Sequence, residues 1–516
     1  MIPGWESGLA VDGLSTVLLV TLGVVLVAVL AYAAGEGYGV RFHALVLLFA
    51  AAMAVTVTAS DLLLLLMGWE VMGAMSYALI GYVWSDAERV RSADVAFLTT
   101  RAADMGLYAA AGFAVAGAHS LRLDALAQAD GPWRDLIAAG VVVSALGKSA
   151  QLPFSFWLSR AMAGPTPVSA LLHSATMVVA GAYLLLRLRP LLDATGWAGT
   201  AVGWAGALTA LLMGAVALAQ RDLKQLLAAS TCAQIGFMVL GAGAGSVDGG
   251  AAHLVAHAAV KSLLFLCAGV WLTRRGSHRL VDVAFGVGAV ALAGVPPLSL
   301  WVTKDGVLSG VGERSSALLA VGFAASVLSA AYAGRALLWL LRPAERVTVP
   351  WSQRIPLAGL AVAAAGLGAL GLSDKLGFHA WQLALSGVLA VVTVGVVAGL
   401  RRVPEPGWAF DWLWLERAVA VVVVRPVFAA ARALARFDDQ VVDGAVRGVA
   451  RGGRWTAALT GRRVEIRVDG LVNVIGRAAR GLAALARRPQ TGQLHMYFAQ
   501  AAVVFAVLAV IAVLAG

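Results

Sequence analysis

Apolar segments long enough to cross a lipid bilayer recur along most of this 516-residue chain. Sixty per cent of the residues are hydrophobic and only 13% are charged, whereas about 25% of the residues in a soluble domain are charged. A helix needs about 20 apolar residues to span the hydrocarbon core, and the alternating ten-residue strands of an outer-membrane barrel do not occur. The sequence therefore predicts an all-α, multi-pass membrane protein and excludes an ordinary soluble enzyme.

Thirteen such runs lie within residues 1–400, and one more lies at the C-terminus. The predicted spans are residues 13–34, 42–60, 61–84, 95–117, 135–158, 165–188, 197–219, 223–245, 250–273, 283–308, 315–341, 355–372, 379–400 and 497–515. Short connections favour a single compact bundle for residues 1–400. Cys232 and Cys267 both lie in apolar runs, so no disulfide framework is predicted. Residues 1–6 contain no basic segment, so no cleavable signal peptide is expected.

Residues 401–496 differ in composition from the rest of the chain. Residues 425–490 contain 13 Arg, no Lys and five acidic residues, which gives +8 of the total net charge of +11. Arg is interleaved with apolar residues there, which predicts an amphipathic helix lying along the membrane surface. A basic cytosolic tail is the alternative, and nucleic-acid binding is disfavoured because aromatic residues are sparse. Residues 497–516 would then anchor this region in the membrane.

The chain contains an internal repeat. Residues 153–160 (PFSFWLSR) resemble residues 297–304 (PLSLWVTK), which begin 144 residues later. In both halves an apolar helix is interrupted by Gly and Pro, after Gly147 and after Gly294. Paired broken helices are typical of transporters built from repeats, whose functional site lies near the bilayer midplane.

Lysine is rare in this chain, and its positions are informative. Only five of the 39 Lys and Arg residues are lysines. A GC-rich genome that favours Arg codons would explain the excess of Arg, but not the places where Lys remains. Arg does not lose its proton in a protein, whereas a desolvated Lys does. Lys148, Lys261 and Lys304 lie in or beside apolar segments, so they are candidate proton carriers. Lys224 lies near the start of such a segment, where a Lys that snorkels to the interface is a strong alternative.

Glu70 and Lys148 form the first predicted pair. Glu70 lies in the middle of a span, where a carboxylate costs at least about 2.5–3.5 kcal/mol, so we expect a functional role rather than only a structural ion pair. Lys148 precedes the break in its own helix and is the natural partner for Glu70, with snorkelling as the alternative. Arg101 and Asp104 are three residues apart and are expected to pair on one helix face.

His253, His257 and Lys261 follow one another at intervals of four residues. This spacing places them on one face of a helix and predicts a row of exchangeable protons about 12 Å long. Passive packing is one alternative. A zinc site is another, although no acidic or Cys ligand lies nearby in the sequence.

Two further candidates extend this row. Lys304 and Asp305 follow the second helix break, where the acid could compensate the charge of the Lys. His173 lies in an apolar run and would either connect Lys148 to the row or pack passively. The chain contains neither a nucleotide-binding loop nor a Cys cluster for an iron–sulfur centre, so we expect no cofactor in it.

Several of these segments resemble the antiporter-like subunits of respiratory complex I. The resemblance rests on residues 147–158 (GKSAQLPFSFWL), residues 163–177 (AGPTPVSALLHSATM), the His-His-Lys row and the Gly-Val-Pro-Pro run that precedes residues 303–305. It extends over about residues 12–400. The surface-helix region, and the Gln-Thr-Gly that precedes the last span, resemble more narrowly the L-type subunit, which is chain 5 in mitochondria.

The start of the chain departs from the pattern of this family. Residues 11–15 resemble the beginning of the family's third helix. About two N-terminal helices are therefore expected to be missing, which would make this a shortened form of the L-type subunit.

The resemblance implies two inverted five-helix repeats with broken helices, half-channels joined by a hydrated central axis, and a lateral helix. It implies a non-redox, proton-translocating subunit of an NADH:quinone oxidoreductase in a prokaryotic cell membrane, with other membrane-arm subunits as partners. The implied proton path consists of Glu70, Lys148, Lys224, His253, His257, Lys261, Lys304 and Asp305. The same core occurs in membrane-bound hydrogenases, multisubunit Na⁺/H⁺ antiporters and inorganic-carbon uptake complexes, and a degenerate bracing subunit is a further alternative.

Overall fold

The computed structural model describes residues 7–342, 345–370, 379–401 and 403–515. Within these residues the regular secondary structure is entirely helical, apart from isolated bridges between extended residues. The chain divides into two compact units, Met1–Val419 and Ala420–Gly516. The expectation about a signal peptide at residues 1–6 lies outside the described residues, as does the end of the predicted span 355–372.

The first unit is a bundle of helices joined by short connections. Its helices are α1 (Gly13–Ala34), α2 (Val40–Thr58), α3 (Leu62–Ile80), α4 (Ala87–Gly117), α5 (Gly131–Lys148), α6 (Phe156–Ala161), α7 (Thr166–Ser174), α8 (Met177–Arg187), α9 (Arg189–Thr195), α10 (Ala198–Ala219), α11 (Leu223–Ala244), α12 (Val247–Arg274), α13 (Arg279–Ala293), α14 (Ser299–Gly312), α15 (Ser316–Leu337), α16 (Trp351–Leu370), α17 (Ala380–Leu400), α18 (Gly407–Phe410) and α19 (Leu415–Val419). The protein is thus a multi-pass integral membrane protein, and eleven helices in the described residues are long and apolar enough to cross a membrane.

The predicted helix breaks are confirmed. The predicted span 135–158 consists of α5 and α6, separated by a loop that follows Lys148, and the predicted span 283–308 consists of α13 and α14. The structure also contains a break that the sequence did not indicate. The apolar run 165–188 is interrupted after Ser174, so that α7 and α8 are separate helices. An uninterrupted apolar run does not reveal such a break.

Aspartate side chains cap several helices of the bundle. Asp61 accepts a hydrogen bond from the backbone N–H of Leu64 at 2.9 Å and so caps α3. Asp222 accepts one from the backbone N–H of Gln225 at 2.9 Å and caps α11. A side-chain acceptor here satisfies a donor that the first turn of a helix leaves without a partner.

Close contacts between small residues hold the bundle together. A Cβ atom added at Gly106 of α4 would lie 2.6 Å from the carbonyl oxygen of Gly140 on α5, and one added at Gly236 of α11 would lie 2.7 Å from that of Gly206 on α10. Small residues allow the backbones of membrane helices to approach closely, where packing replaces the hydrophobic effect as the source of association.

We expect Gly106→Val to destabilise the bundle by about 1–3 kcal/mol, the usual cost of overpacking. The backbone carbonyl of Gly140 cannot move aside without displacing α5. Gly112→Val on the same helix is the matched control, because a Cβ atom added there meets no atom within 4 Å. Thermal unfolding of both variants in detergent checks the prediction, and equal midpoints for the two would contradict it.

The connections between helices lie at two opposite ends of the bundle. At one end the α1–α2, α3–α4, α6–α7, α10–α11 and α12–α13 connections meet, and Lys224 of α11 donates to the carbonyl oxygen of Gly164 there at 2.9 Å. At the other end Arg189 donates to the carbonyl oxygen of Gly243 at 2.7 Å. The first end holds 15 of the described Lys and Arg residues and the second holds five. We call the first the basic end.

Residues 403–419, which we call the strap, pack against the basic end. Glu405 accepts from Arg335 at 2.5 Å and from Arg221 at 2.7 Å. Glu416 accepts from Arg160 at 2.6 Å. The hydrogen bonds from Arg335, chiefly, and from Arg221 hold the pKa of Glu405 below its ordinary value. The strap thereby connects α6 with the α10–α11 connection and with α15.

The second unit is a long helix followed by a shorter one. The long part consists of α20 (Arg425–Phe437), α21 (Asp443–Leu459) and α22 (Ile466–Arg487), joined by π-helical turns. The last helix, α23 (Leu494–Ala515), is uniformly apolar and long enough to span a membrane. None of the described residues of α20, α21 and α22 is buried within the chain, as expected of an element that contacts something else.

Candidate functional site

Ionisable side chains are buried in the interior of the first unit. Lys148, Lys261 and the histidines of the predicted row have no exposed surface, and Lys304 is 4% exposed. Charged residues are almost never fully buried unless they are paired or functional. The environment of each therefore decides what it can do.

Lys148 is paired with Asp104, not with Glu70 as predicted. The Lys148 ammonium donates to Oδ2 of Asp104 at 2.9 Å. Oδ1 of the same carboxylate accepts from the indole N–H of Trp69 at 2.6 Å and from the hydroxyl of Ser144 at 3.2 Å. The ammonium also lies 5.1 Å from the centre of the Trp69 ring. This pair is desolvated but satisfied on both sides.

Glu70 is paired with Arg101, which corrects the expectation that Arg101 would pair with Asp104. The side chains of Arg101 and Glu70 are 37% and 24% exposed, whereas those of Lys148 and Asp104 are almost fully buried. The prediction failed because two residues three positions apart on a helix can still reach different neighbours. From α4, Asp104 reaches α5, and the longer Arg101 reaches α3.

His173 is buried and makes no hydrogen bond to Lys148 or to the predicted row. Neither of its ring nitrogens has a partner among the described residues. Its ring lies 6.4 Å from that of Trp157 and 6.0 Å from that of Phe265. A buried imidazole without partners is costly, which makes it a position where water would bind.

Lys261 and His257 lie next to each other in the centre of the bundle. Lys261 donates to the carbonyl oxygen of Leu227 at 3.0 Å and to the hydroxyl of Ser230. Nδ1 of His257 lies 3.1 Å from the carbonyl oxygen of Ser174, which can only accept, so this nitrogen carries the proton. Nε2 then presents a lone pair, and it has no partner in the described part of the chain. His257 is thus set up to accept a proton.

His253 begins a hydrogen-bonded chain that ends at Lys304. One ring nitrogen lies 3.1 Å from the side-chain oxygen of Gln234. The amide N–H of Gln234 donates to the hydroxyl of Ser329 at 2.9 Å, and Lys304 donates to the same hydroxyl at 2.9 Å. The other nitrogen of His253 lies 3.1 Å from the hydroxyl of Thr303. Both ring nitrogens are therefore engaged by neutral groups, an arrangement that does not suit a zinc ligand.

Sequence reasoning missed Gln234 and Ser329, which connect His253 to Lys304. Gln234 had a detectable signal, because it is a polar residue within the apolar run 223–245. Ser329 had none, since Ser is common in membrane helices and often bonds to its own backbone.

Asp305 is buried beside Lys304, but the two side chains do not form an ion pair. The hydroxyl of Ser386 faces the same small cavity as Asp305 and donates to the carbonyl oxygen of Leu383 at 3.1 Å. The cavity has a volume of about 10 Å³ and is also lined by Lys304. This volume is about that of one water probe. The expected charge compensation is therefore not direct.

Lys224 lies at the floor of a cleft at the basic end rather than in the central row. Its ammonium donates to the carbonyl oxygens of Met162 at 2.7 Å and Gly164 at 2.9 Å. The cleft has a volume of about 580 Å³, and three acidic residues line it: Glu36, Asp86 and Glu88. Burial raises the pKa of Glu36 above its ordinary value. The Lys224 ammonium is thus held by the α6–α7 connection at the basic end.

Residues 59–329 match the family model described as NADH:quinone oxidoreductase/Mrp antiporter, TM. The chain is 36% identical over 453 residues to NADH-quinone oxidoreductase subunit L of Escherichia coli (strain K12), covering 81% of this chain and 72% of that protein. It is 34% identical over 519 residues to subunit L of Pseudomonas aeruginosa, covering 88% and 83%.

This chain spans little more than half the length of two further similar proteins. NAD(P)H-quinone oxidoreductase subunit 5 of the Zygnema circumcarinatum chloroplast is 35% identical over 363 residues, which cover 63% of this chain and 52% of that protein. A chain in the structure of the Mrp complex from Dietzia sp. DQ12-45-1b superposes with a TM-score of 0.68 and 28% identity. That alignment covers 93% of this chain and 56% of the Dietzia chain.

Proposed function

The chain belongs to the NADH:quinone oxidoreductase/Mrp antiporter transmembrane family, and we propose that it is a proton-translocating, non-redox subunit of an NADH:quinone oxidoreductase. The observation that supports this proposal is the set of buried ionisable side chains in the interior of the first unit, from Lys148 to the His-His-Lys row and on to Lys304 and Asp305. Electron transfer would take place in partner subunits, and this chain would work in the plasma membrane of a prokaryote.

The central row supplies the transfer steps. The free lone pair of His257 accepts a proton, and Lys261 lies one helical turn away. Gln234 and Ser329 hold His253 and Lys304 in one hydrogen-bonded network, and a proton moves between them when these donors reorient. Buried groups without partners, such as His173, interrupt the direct hydrogen bonding. Water molecules at these positions would complete the path. A buried polar group without a partner reduces the free energy of unfolding by about 1–3 kcal/mol, so a hydrogen bond from water there is favourable.

A change of partners between two neighbouring ion pairs would trigger proton transfer. Glu70, Arg101, Asp104 and Lys148 form two pairs with no net charge. When a change at a neighbouring subunit draws Glu70 away, Arg101 is free to turn toward Asp104, which lies three residues away on the same helix. Lys148 then loses its counter-ion in a desolvated site, where the neutral amine is favoured. Its proton passes into the row.

The distribution of charge gives a direction for this transfer. Cytoplasmic loops carry an excess of Lys and Arg, so we place the basic end in the cytoplasm. The cleft above Lys224 then opens to the cytoplasm, and its acidic lining would collect protons there. Exchange with the opposite side would take place near Lys304 and Asp305.

The second unit fits the predicted lateral helix. We propose that residues 1–400 form the transport core, residues 401–496 lie along the membrane surface, and residues 497–516 form the anchor. The exposed apolar and Arg side chains of α20 and α22 suit contact with lipid and with other membrane-arm subunits.

A subunit of a multisubunit cation/proton antiporter is the second candidate. The observation that favours it is the superposition of nearly the whole chain on the Dietzia Mrp chain. In such a complex the same path would exchange protons against another cation such as Na⁺.

Purification of the tagged protein in mild detergent tests the proposal. We expect it to co-purify with membrane subunits of a quinone reductase and with iron–sulfur and flavin subunits. Co-purification with small antiporter subunits alone would overturn the oxidoreductase assignment in favour of the second candidate. Recovery of the chain without any membrane partner would contradict both.

A further inference from the structure

A group of arginines outside the proton path lines a cavity of about 320 Å³ at the basic end. The cavity is formed by the α12–α13 connection and by the chain around and after the end of α15. Three Arg side chains and two Trp side chains contribute to its lining: Arg275, Arg342, Arg346, Trp271 and Trp339. Asp282 is the single acidic residue of this lining.

The carboxylate of Asp282 already has two hydrogen-bond partners, one of them an arginine. Its carboxylate accepts from Arg346 at 2.7 Å and from the indole N–H of Trp271 at 3.3 Å. Arg275 and Arg342 have no ion pair with any described residue, and the Arg342 guanidinium stacks on the ring of Trp339 at 4.3 Å. The cavity therefore holds two uncompensated positive charges, one of them held in a fixed orientation by an aromatic ring.

The basic surface continues beyond this cavity. A neighbouring cavity of about 580 Å³ shares Arg342 and Trp339 and is also lined by Arg401. Its acidic residue, Glu405, is paired with both Arg335 and Arg221. Neither cavity thus contains a free carboxylate that would neutralise Arg342.

The lining of the first cavity also contains apolar surface. Leu340 contributes its side chain there, and the rings of Trp271 and Trp339 lie beside the guanidinium groups. A ligand at this position would therefore contact cationic, aromatic and aliphatic groups together, and Trp is a residue that membrane proteins favour at the interface.

We propose that this cavity binds the phosphate group of an anionic phospholipid. Arg presents paired N–H donors that match phosphate oxygens, and basic pockets between membrane helices on the cytoplasmic side suit such headgroups. Free inorganic phosphate shares the chemistry of the headgroup, but the Trp and Leu340 side chains in the lining favour a ligand that also has an apolar part. This proposal does not depend on the transported ion or on the electron donor.

Native mass spectrometry of the full chain with phosphatidylglycerol and phosphatidylcholine tests the site. We expect the wild type to retain phosphatidylglycerol over phosphatidylcholine by about tenfold, and Arg275→Gln/Arg342→Gln to lose most of that preference. Arg91→Gln/Arg279→Gln is the matched control. It removes two exposed charges from the same end without touching the cavity. Arg342→Lys should retain part of the preference.

Equal retention of the two lipids by the wild type, or equal loss in both double variants, would overturn the proposal. Gel filtration checks that each variant is folded, and single Arg275→Gln and Arg342→Gln variants replace the double variant if it is not. Competition with excess inorganic phosphate distinguishes a phospholipid headgroup from free phosphate as the ligand. Failure to displace phosphatidylglycerol supports a lipid ligand, whereas displacement together with direct phosphate binding would overturn the lipid assignment.

Discussion

Lys148→Arg is expected to stop proton translocation by this subunit while the protein still folds and assembles. Arg keeps the positive charge that Asp104 requires, but it does not release a proton in a protein. We expect this subunit's contribution to proton translocation to fall by about tenfold or more, the factor that one pKa unit represents. Proton uptake by membrane vesicles that contain the assembled complex, measured per electron transferred, checks the prediction.

The effect on folding separates this role from a structural one. Lys148→Ala should also abolish translocation, but it leaves the Asp104 carboxylate buried without a counter-ion, at a cost of about 3–5 kcal/mol. Lys148→Met/Asp104→Asn removes both charges, so we expect it to regain stability without regaining translocation. Normal translocation in Lys148→Arg or in the double variant would contradict the proposed path.

Lys261→Met is expected to abolish translocation without reducing the stability of the protein. The partners of Lys261 are neutral, namely the carbonyl oxygen of Leu227 and the hydroxyl of Ser230. Its replacement therefore leaves no unpaired charge, and substitution of a buried ionic group by an apolar one is often neutral or stabilising. The same vesicle assay, combined with thermal unfolding, measures both quantities.

Cys267→Ala is the matched control for Lys261→Met. Cys267 is also fully buried on α12 but has no place in the row. We expect it to lose a little stability and to keep translocation. The role assigned to the central row would be refuted if the two variants translocated protons equally well.

The membrane class and two of the helix breaks could be predicted from the sequence alone, whereas the break between α7 and α8 could not. Apolar runs of spanning length, and the Gly and Pro residues after Gly147 and Gly294, act through local backbone chemistry, so neighbouring residues are enough to reveal them. The row of His253, His257 and Lys261 was predictable for a similar reason. Four-residue spacing fixes a common helix face whatever the helix packs against.

Only the tertiary structure decided which charges pair. The sequence predicted an ion pair between Glu70 and Lys148. In the structure α4 is oriented so that Asp104 pairs with Lys148 and Arg101 pairs with Glu70. The chain from His253 through Gln234 and Ser329 to Lys304 likewise depends on contacts among α11, α12, α14 and α15, which are far apart in the sequence. The connections that form the basic end are also distant in sequence. Periodicity within a helix is local, whereas the rotation of each helix against its neighbours depends on packing across the whole bundle.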